Sequence, residues 1–226
     1  MKEQQKNSDG LINLNIPMEL VDTVLPEPYR LNYYQNLEER ILWIDKPIDE
    51  ESLDVIKKIY QWNEEDSVIS LLDALTVEDI QAIKRKPITI YFNSPGGFLD
   101  MSIAIAQCIK DSKTPIIGIN TGECSSGAAL IFSQCHVKVA VNTAFFLIHK
   151  GSGAVGGTHA QSKAHQKHWD HMVEQMDKML LSIMKIDQEE YNNLAENEWF
   201  LYMDDQDPES TQNARRYNLI TEEYNK

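Results

Sequence analysis

The sequence predicts an α/β protein in which crossover helices cover a parallel or mixed sheet. Three observations carry that expectation. Apolar, β-branched runs recur as PITIYF and PIIGIN, each reading as buried strand, and as VKVAVNTAFFLI, reading as two short strands. Helical stretches, LDMSIAIAQCIKDS and SSGAALIFSQC, separate these runs, so strand and helix alternate. A stretch without Gly or Pro from Thr158 to Ile186 then predicts one long helix.

The elements follow in order. MKEQQKNSDG is polar and leads into LINLNIPMELVDTVLPEPYR, which holds Pro17, Pro26 and Pro28 without a sustained period. Residues 1–30 therefore read as an arm, flexible in part, and 31–226 as one domain. RILWI, from Arg40, is a short strand. In IDEESLDVIKKIYQW, Ile48, Leu53, Ile56, Ile59 and Tyr60 recur at helical spacing, with Asp49 as N-cap and glutamates in the first turn. Residues 64–86 read as a second helical stretch, ended by KRK before Pro87. VKVAVNTAFFLIH supplies two short strands. After the long helix the text predicts a short helix, a loop carrying Pro208, and a final helix from Pro208 to Tyr217.

Composition bounds the function. A chain of 226 residues with 42% hydrophobic content buries one sizeable core. The net charge of −14 would repel phosphate backbones and anionic lipid, which argues against nucleic-acid and membrane partners. That charge is uneven: residues 45–80 and 187–226 each carry −8, whereas residues 81–186 carry +5. The polar start and the lack of any long apolar run make a cytoplasmic protein the expectation. Cys108, Cys124 and Cys135 are odd in number and none lies in a C-x-x-C spacing, so buried free thiols are expected. His159, His165, His168 and His171 crowd the long helix, but no Asp, Glu or Cys joins them in a recognised ligand pattern. A solvated or inter-subunit helix face is the reading, with no metal and no cofactor.

Three features can carry chemistry. Ser94, Pro95, Gly96 and Gly97 occupy a strand-to-helix junction, where paired glycines let the backbone approach a ligand and unpaired N–H groups suit an oxyanion. An ordinary tight turn explains the same residues. Gly122, Glu123, Cys124, Ser125, Ser126 and Gly127 form a second such junction, with the logic of a nucleophile elbow although not as G-x-S-x-G. A serine N-cap is the plain alternative. His149 ends the apolar run AFFLIH, at the edge where an α/β sheet offers its ligands.

NSPGG, GECSSG before a helix, LIHKGSG and NARRYNLIT, in this order, resemble the proteolytic subunit of the Clp protease (ClpP) family from about Arg40 to Thr221. The resemblance implies a ClpP/crotonase-type α/β fold of stacked mixed sheets, with crossover helices and one long protruding helix. It implies a serine endopeptidase that cleaves unfolded polypeptide through an acyl-enzyme, inside a homo-oligomeric chamber of stacked rings. Any ATP use would belong to a separate AAA+ unfoldase, since the sequence holds no Walker motif.

Matched position by position, Ser126 is the implied nucleophile, with Ser125 as runner-up, and His149 the general base. The backbone N–H groups of Gly97 and Gly127 form the implied oxyanion hole, Gly127 standing where the family has Met. Glu198 matches the family's triad Asp, with Asp204, Asp205 and Asp207 as rivals. Gly151 to Gly157 match a strand that pairs with substrate, so Gly151 and Gly153 are the implied substrate-binding residues. The sequence departs from the family in its arm, in Asn197 where a basic residue is usual, and in a longer stretch from Gln61 to Lys86. Two other readings stand: an inactive ring subunit or assembly factor, and a crotonase-type acyl-CoA enzyme.

Overall fold

The structure, a computed structural model, describes residues 28–73, 85–153 and 156–224. Two compact units divide the chain, Met1–Ile41 and Leu42–Lys226. In the first, helix α1 (Pro28–Glu38) opens on a proline, whose fixed φ and missing N–H suit the first helical position. Sequence reading had placed nothing helical there, because PYRLNYYQNLE carries no apolar stripe. Residues 1–27 of the expected arm lie outside the described residues.

β1 (Ile41–Ile44), whose first residue closes the first unit, leads in the second through a short 3₁₀ turn (Glu50–Leu53) into α2 (Asp54–Asp73). Asp49 caps this turn as expected: its carboxylate accepts from the N–H groups of Glu51 and Ser52, and the Ser52 hydroxyl accepts from the Asp49 N–H. α2 runs straight through residues 62–64, so the second helix expected from residue 64 begins as a continuation of the first. No Gly or Pro interrupts the chain at that point. Of the helical insertion expected around residues 64–86, residues 74–84 lie outside the described residues.

Then follow β2 (Ile88–Ser94), α3 (Leu99–Asp111), β3 (Ile116–Ser125), α4 (Gly127–Ser133), β4 (Val137–Ala140) and β5 (Phe145–Ile148). The long helix α5 (His159–Leu181), α6 (Gln188–Ala195) and β6 (Trp199–Tyr202) complete the chain. The strands form a mixed six-stranded sheet of order β1-β2-β3-β5-β6, with β4 also paired to β3. β2, β4 and β5 all run parallel to β3, and β6 runs antiparallel to β5. β3 is long enough to serve two partners along one edge: Ile117–Asn120 pair with β4, and Glu123–Ser125 with β5.

Burial explains why these residues form this sheet. Along β2, Ile88, Ile90 and Phe92 are fully buried while Thr89 and Tyr91 are not, the period-2 pattern of a strand with one face on the core. α4 is buried at every position, which is why it reads as continuously apolar. Its Phe132 ring lies 5.3 Å from that of Phe92 and 5.2 Å from that of Phe146, locking the helix across β2 and β5. The long α5 is bounded by the Thr158 cap, whose hydroxyl accepts from the Gln161 N–H.

Residues 208–217, expected as a helix, form turns instead. The Asp205, Asp207, Ser210 and Asn213 side chains each accept from a backbone N–H two residues on, giving the backbone partners that compete with helix.

All three cysteines are free and buried. Burial pushes the Cys135 thiol up to about 12 and the Cys108 thiol up to about 11, the latter with help from Asp111. Thiolate is the reactive form, so its fraction at pH 8 is small. Iodoacetamide at pH 8 is therefore expected to leave the native protein unmodified by mass while the urea-unfolded chain takes up three adducts. A native adduct within the same interval would contradict this burial.

Candidate active site

Parallel strands β3 and β5 end at the same edge, with Ser125 opposite Leu147. In an α/β sheet that carboxyl edge is where strand-end side chains converge. Ser126 follows β3 directly and His149 follows β5 directly, so topology alone makes them neighbours. His149 Nε2 lies 2.7 Å from Ser126 Oγ. For the hydroxyl to donate, Nε2 must be the unprotonated nitrogen, which leaves the ring proton on Nδ1.

Ser126 sits at φ 53 and ψ −122, a conformation that a residue with a Cβ seldom adopts. Such strain costs on the order of 1–3 kcal/mol and persists only where its surroundings impose it. Here the Ser126 N–H donates to Leu147 O at 2.7 Å, tying the turn to β5. The neighbouring Ser125 is buried, and its hydroxyl donates to Glu123 Oε1 at 2.8 Å. The two serines thus differ sharply: only Ser126 meets His149.

The glycine turn after β2 packs directly on this elbow. Gly96 has φ 88, and a Cβ there would lie 2.5 Å from Ser125 O and 2.8 Å from Gly127 N. Its N–H donates to Ser94 Oγ, which itself donates to Lys46 O at 2.6 Å. Gly97 lies against Ile48: Ile48 N donates to Gly96 O, and Phe98 N donates to Ile48 O. Among the described residues neither the Gly97 nor the Gly127 amide has an acceptor. Two such N–H groups can stabilise a developing oxyanion.

Gly127 has its own reason to lack a side chain, since a Cβ would lie 2.1 Å from Ser102 Oγ on α3. Ser102 is buried and donates to Phe98 O.

Glu198 is not in contact with His149: it is exposed, and no hydrogen bond joins the two. Their backbones are nevertheless related. β5 and β6 pair Phe145 with Tyr202 through to Ile148 with Trp199, and Glu198 and His149 both lie just past this last pair. The rivals lie toward the other end of β6, because Asp204 follows Tyr202, the partner of Phe145. At ~3.4 Å per residue the four steps from His149 to Phe145 already amount to about 14 Å along the strand. Asp205 is also engaged in its own turn, where hydrogen bonds from Ser210 and from the Asp207 N–H hold its carboxyl below the usual value.

The chain after His149 differs from the expected strand. Residues 150–153 are irregular, and 154 and 155 lie outside the described residues. Gly151 has φ 82, and Cβ atoms at Gly151 and Gly153 would meet the Trp169 ring at 3.3 Å and 3.4 Å. An open cleft of about 390 Å³ begins here, lined in part by Lys150, Gly151, Trp169, Asp170 and Asp177.

A family model described as Clp protease matches residues 30–222. The chain belongs to the Clp protease family. Three curated relatives are each named ATP-dependent Clp protease proteolytic subunit 2. The protein from Treponema denticola is 29% identical over 108 residues, 47% of this chain and 53% of its own. That from Gluconobacter oxydans is 38% identical over 76 residues, 32% of this chain and 34% of its own. That from Pseudomonas aeruginosa is 26% identical over 102 residues, 44% of this chain and 51% of its own. The matches thus span about half or less of these relatives. This Clp protease domain is a divergent one, and its mixed α/β architecture agrees with the fold expected from the four motifs.

Several residues that shape the site were not singled out from the sequence. Ile48 holds the glycine turn from a distant segment, Asn93 Oδ1 accepts from the Glu123 N–H, and Asn120 joins Phe145 O to Gly122 N. Only the Asn93 of NSPGG carried a sequence signal. Ile48 acts through a long-range contact that no local pattern encodes, and Asn120 combines a local bond to the Gly122 N–H with a long-range one to Phe145 O.

Among the described residues there is no cluster of three or more His, Cys, Asp or Glu able to hold a metal ion, and no helix long and apolar enough to cross a membrane.

Proposed function

We propose that this Clp protease domain is a serine endopeptidase that cleaves unfolded polypeptide through an acyl-enzyme. The hydrogen bond between Ser126 and His149, at a strained elbow flanked by two amides without acceptors, carries the reading. Ser126 Oγ attacks the scissile carbonyl carbon as His149 Nε2 takes the hydroxyl proton. The carbonyl oxygen becomes an oxyanion held by the N–H groups of Gly97 and Gly127. Collapse of the tetrahedral adduct expels the amine, which receives the proton from His149, and leaves an ester on Ser126. Water, deprotonated by the same imidazole, then releases the acid. Glu198 orients the Nδ1–H of His149 and stabilises the imidazolium.

The remaining features follow from the family. The enzyme acts as a homo-oligomer of stacked rings, with α5 between the rings, in the cytoplasm, and with an AAA+ unfoldase supplying substrate. The irregular backbone at Gly151 and Gly153 becomes a pairing strand once peptide is bound. The acyl-CoA reading predicted no ordered Ser–His pair, and the 2.7 Å contact weighs against it.

A fluorophosphonate probe on the full chain tests the reading. Wild type and Ser125→Ala are expected to carry one covalent adduct by intact mass, and Ser126→Ala none. An adduct that persisted in Ser126→Ala and vanished in Ser125→Ala would overturn the assignment. An unlabelled wild type would favour an inactive ring subunit or assembly factor.

A further inference from the structure

His149 lies beyond the last paired residue of β5, which is Ile148, so the sheet does not hold the base in place. The next residue is anchored far more firmly. Lys150 Nζ donates to Asp177 Oδ2 on α5 at 2.8 Å and to Asn192 Oδ1 after Tyr191 on α6 at 2.8 Å. It also stands 5.2 Å from the centroid of the Tyr191 ring. Asp177 in turn accepts from the Tyr191 hydroxyl at 2.7 Å. Burial, with the Asp177 charge beside it, pushes the Tyr191 phenol far up, so it remains a donor.

This anchor differs from a surface ion pair. The Lys150 and Asp177 side chains are 28% and 13% exposed, and the Tyr191 ring is fully buried. Exposed pairs contribute little, but a largely buried pair whose ammonium meets a second acceptor and whose carboxylate meets a second donor is costly to break. Immediately afterwards Gly151 turns the chain at φ 82 against Trp169. Across one peptide bond the two side chains diverge: Lys150 reaches Asp177 on α5 and Asn192 on α6, while His149 reaches Ser126.

We propose that Lys150 is the positioning residue of the general base: its ion pair with Asp177, closed by Tyr191 and Asn192, fixes the end of β5 against α5 and α6 and sets His149 Nε2 at reach of Ser126 Oγ. The proposal rests on the Ser126–His149 reading. Lys150 touches no reacting atom and acts through the backbone it shares with His149. Misplacing a catalytic group by 1 Å can cost about 10²-fold, so the anchor need yield little to be felt.

Lys150 and Asp177 also line the cleft beside the site, which supplies a competing explanation for any defect. A group that merely lines the cleft alters probe binding, whereas a positioning group alters the rate of the bound complex. Fluorophosphonate labelling of the full chain at varied probe concentration separates the two. Lys150→Met and Asp177→Asn are expected to lower the saturating rate by about tenfold or more with the half-saturating concentration unchanged. Lys150→Arg, which keeps charge and reach, is expected to restore most of the rate. The double variant is expected to be no slower than either single one, because both remove the same pair.

Wild-type labelling together with a wild-type saturating rate in both single variants would overturn the anchor alone. A change confined to the half-saturating concentration would do the same, as would a Lys150→Arg no faster than Lys150→Met. An unlabelled wild type would overturn the serine-hydrolase reading and the anchor with it. Should Lys150→Met lose its thermal unfolding transition, Asp177→Asn and Lys150→Arg carry the decision.

Discussion

Glu198→Gln is expected to slow phosphonylation of Ser126 by about 10³- to 10⁴-fold while leaving the unfolding transition in place, the loss seen when a triad carboxylate becomes an amide. The reason is tautomeric. Ser126 donates to Nε2 only when the imidazole proton is on Nδ1, and a carboxylate facing Nδ1 holds it there. Gln offers an N–H to the same nitrogen and favours the reverse tautomer, in which Nε2 no longer accepts. Glu198 begins nearby, because it precedes Trp199, the partner of Ile148, while His149 follows Ile148, so both lie just past the end of the β5–β6 ladder. Paired residues have Cβ atoms about 4.5–5.5 Å apart, and a glutamate just past the last pair closes a gap of that order by rotating its own side chain.

In the structure Glu198 is turned out to solvent, and catalytic hydrogen bonds are often loose before substrate binds. Glu198→Asp is therefore expected to fall between wild type and Glu198→Gln, while Asp204→Asn and Asp207→Asn stay within about twofold of wild type. Were Glu198→Gln labelled as fast as wild type, Ser126 and His149 would be acting as a dyad.

How much of this was legible beforehand depended on the range over which each feature is encoded. Ser126, His149 and the two candidate oxyanion glycines lie in short motifs at the ends of strands whose own patterns are strong, and the structure brings them to one sheet edge. α1 was missed because its helix has no apolar stripe. The turns at 208–217 were misread because Asp, Ser and Asn bond neighbouring N–H groups, and helical period does not record that competition. Lys150 drew no notice either. In sequence it is one polar residue in a glycine-rich stretch, and Asp177 and Tyr191 lie 27 and 41 positions away. Gly127 is legible only in three dimensions: the departure from the family's Met has its counterpart in Ser102, whose hydroxyl occupies the space a side chain at 127 would need.

The site's dependence on absent side chains makes the largest structural prediction. Gly97→Ala is expected to eliminate detectable labelling and to destabilise the fold by about 3 kcal/mol or more, above the usual range for overpacking. A Cβ at Gly97 would lie 2.2 Å from Ile48 O and 2.6 Å from Ile48 N. Both are backbone atoms, one of them hydrogen-bonded to Phe98 N and the other to Gly96 O, so no side-chain rotation relieves the clash. The chain has to move, and with it moves the Gly97 N–H. Loss of one oxyanion donor alone costs about 10²- to 10³-fold.

Gly96→Ala should match it, since its φ of 88 and its contacts with Ser125 O and Gly127 N leave no room either. Gly127→Ala is expected to be milder, because the nearest atom, Ser102 Oγ, is the end of a side chain, and Ser102→Gly in the same molecule should return part of the labelling. Gly156 is the control for stability: among the described residues a Cβ there meets nothing within 4 Å, so Gly156→Ala should leave the unfolding midpoint unchanged. If Gly97→Ala unfolded like Gly156→Ala and reacted like wild type, the packing of the glycine turn on Ile48 and the elbow would be wrong, and the oxyanion role of its amide with it.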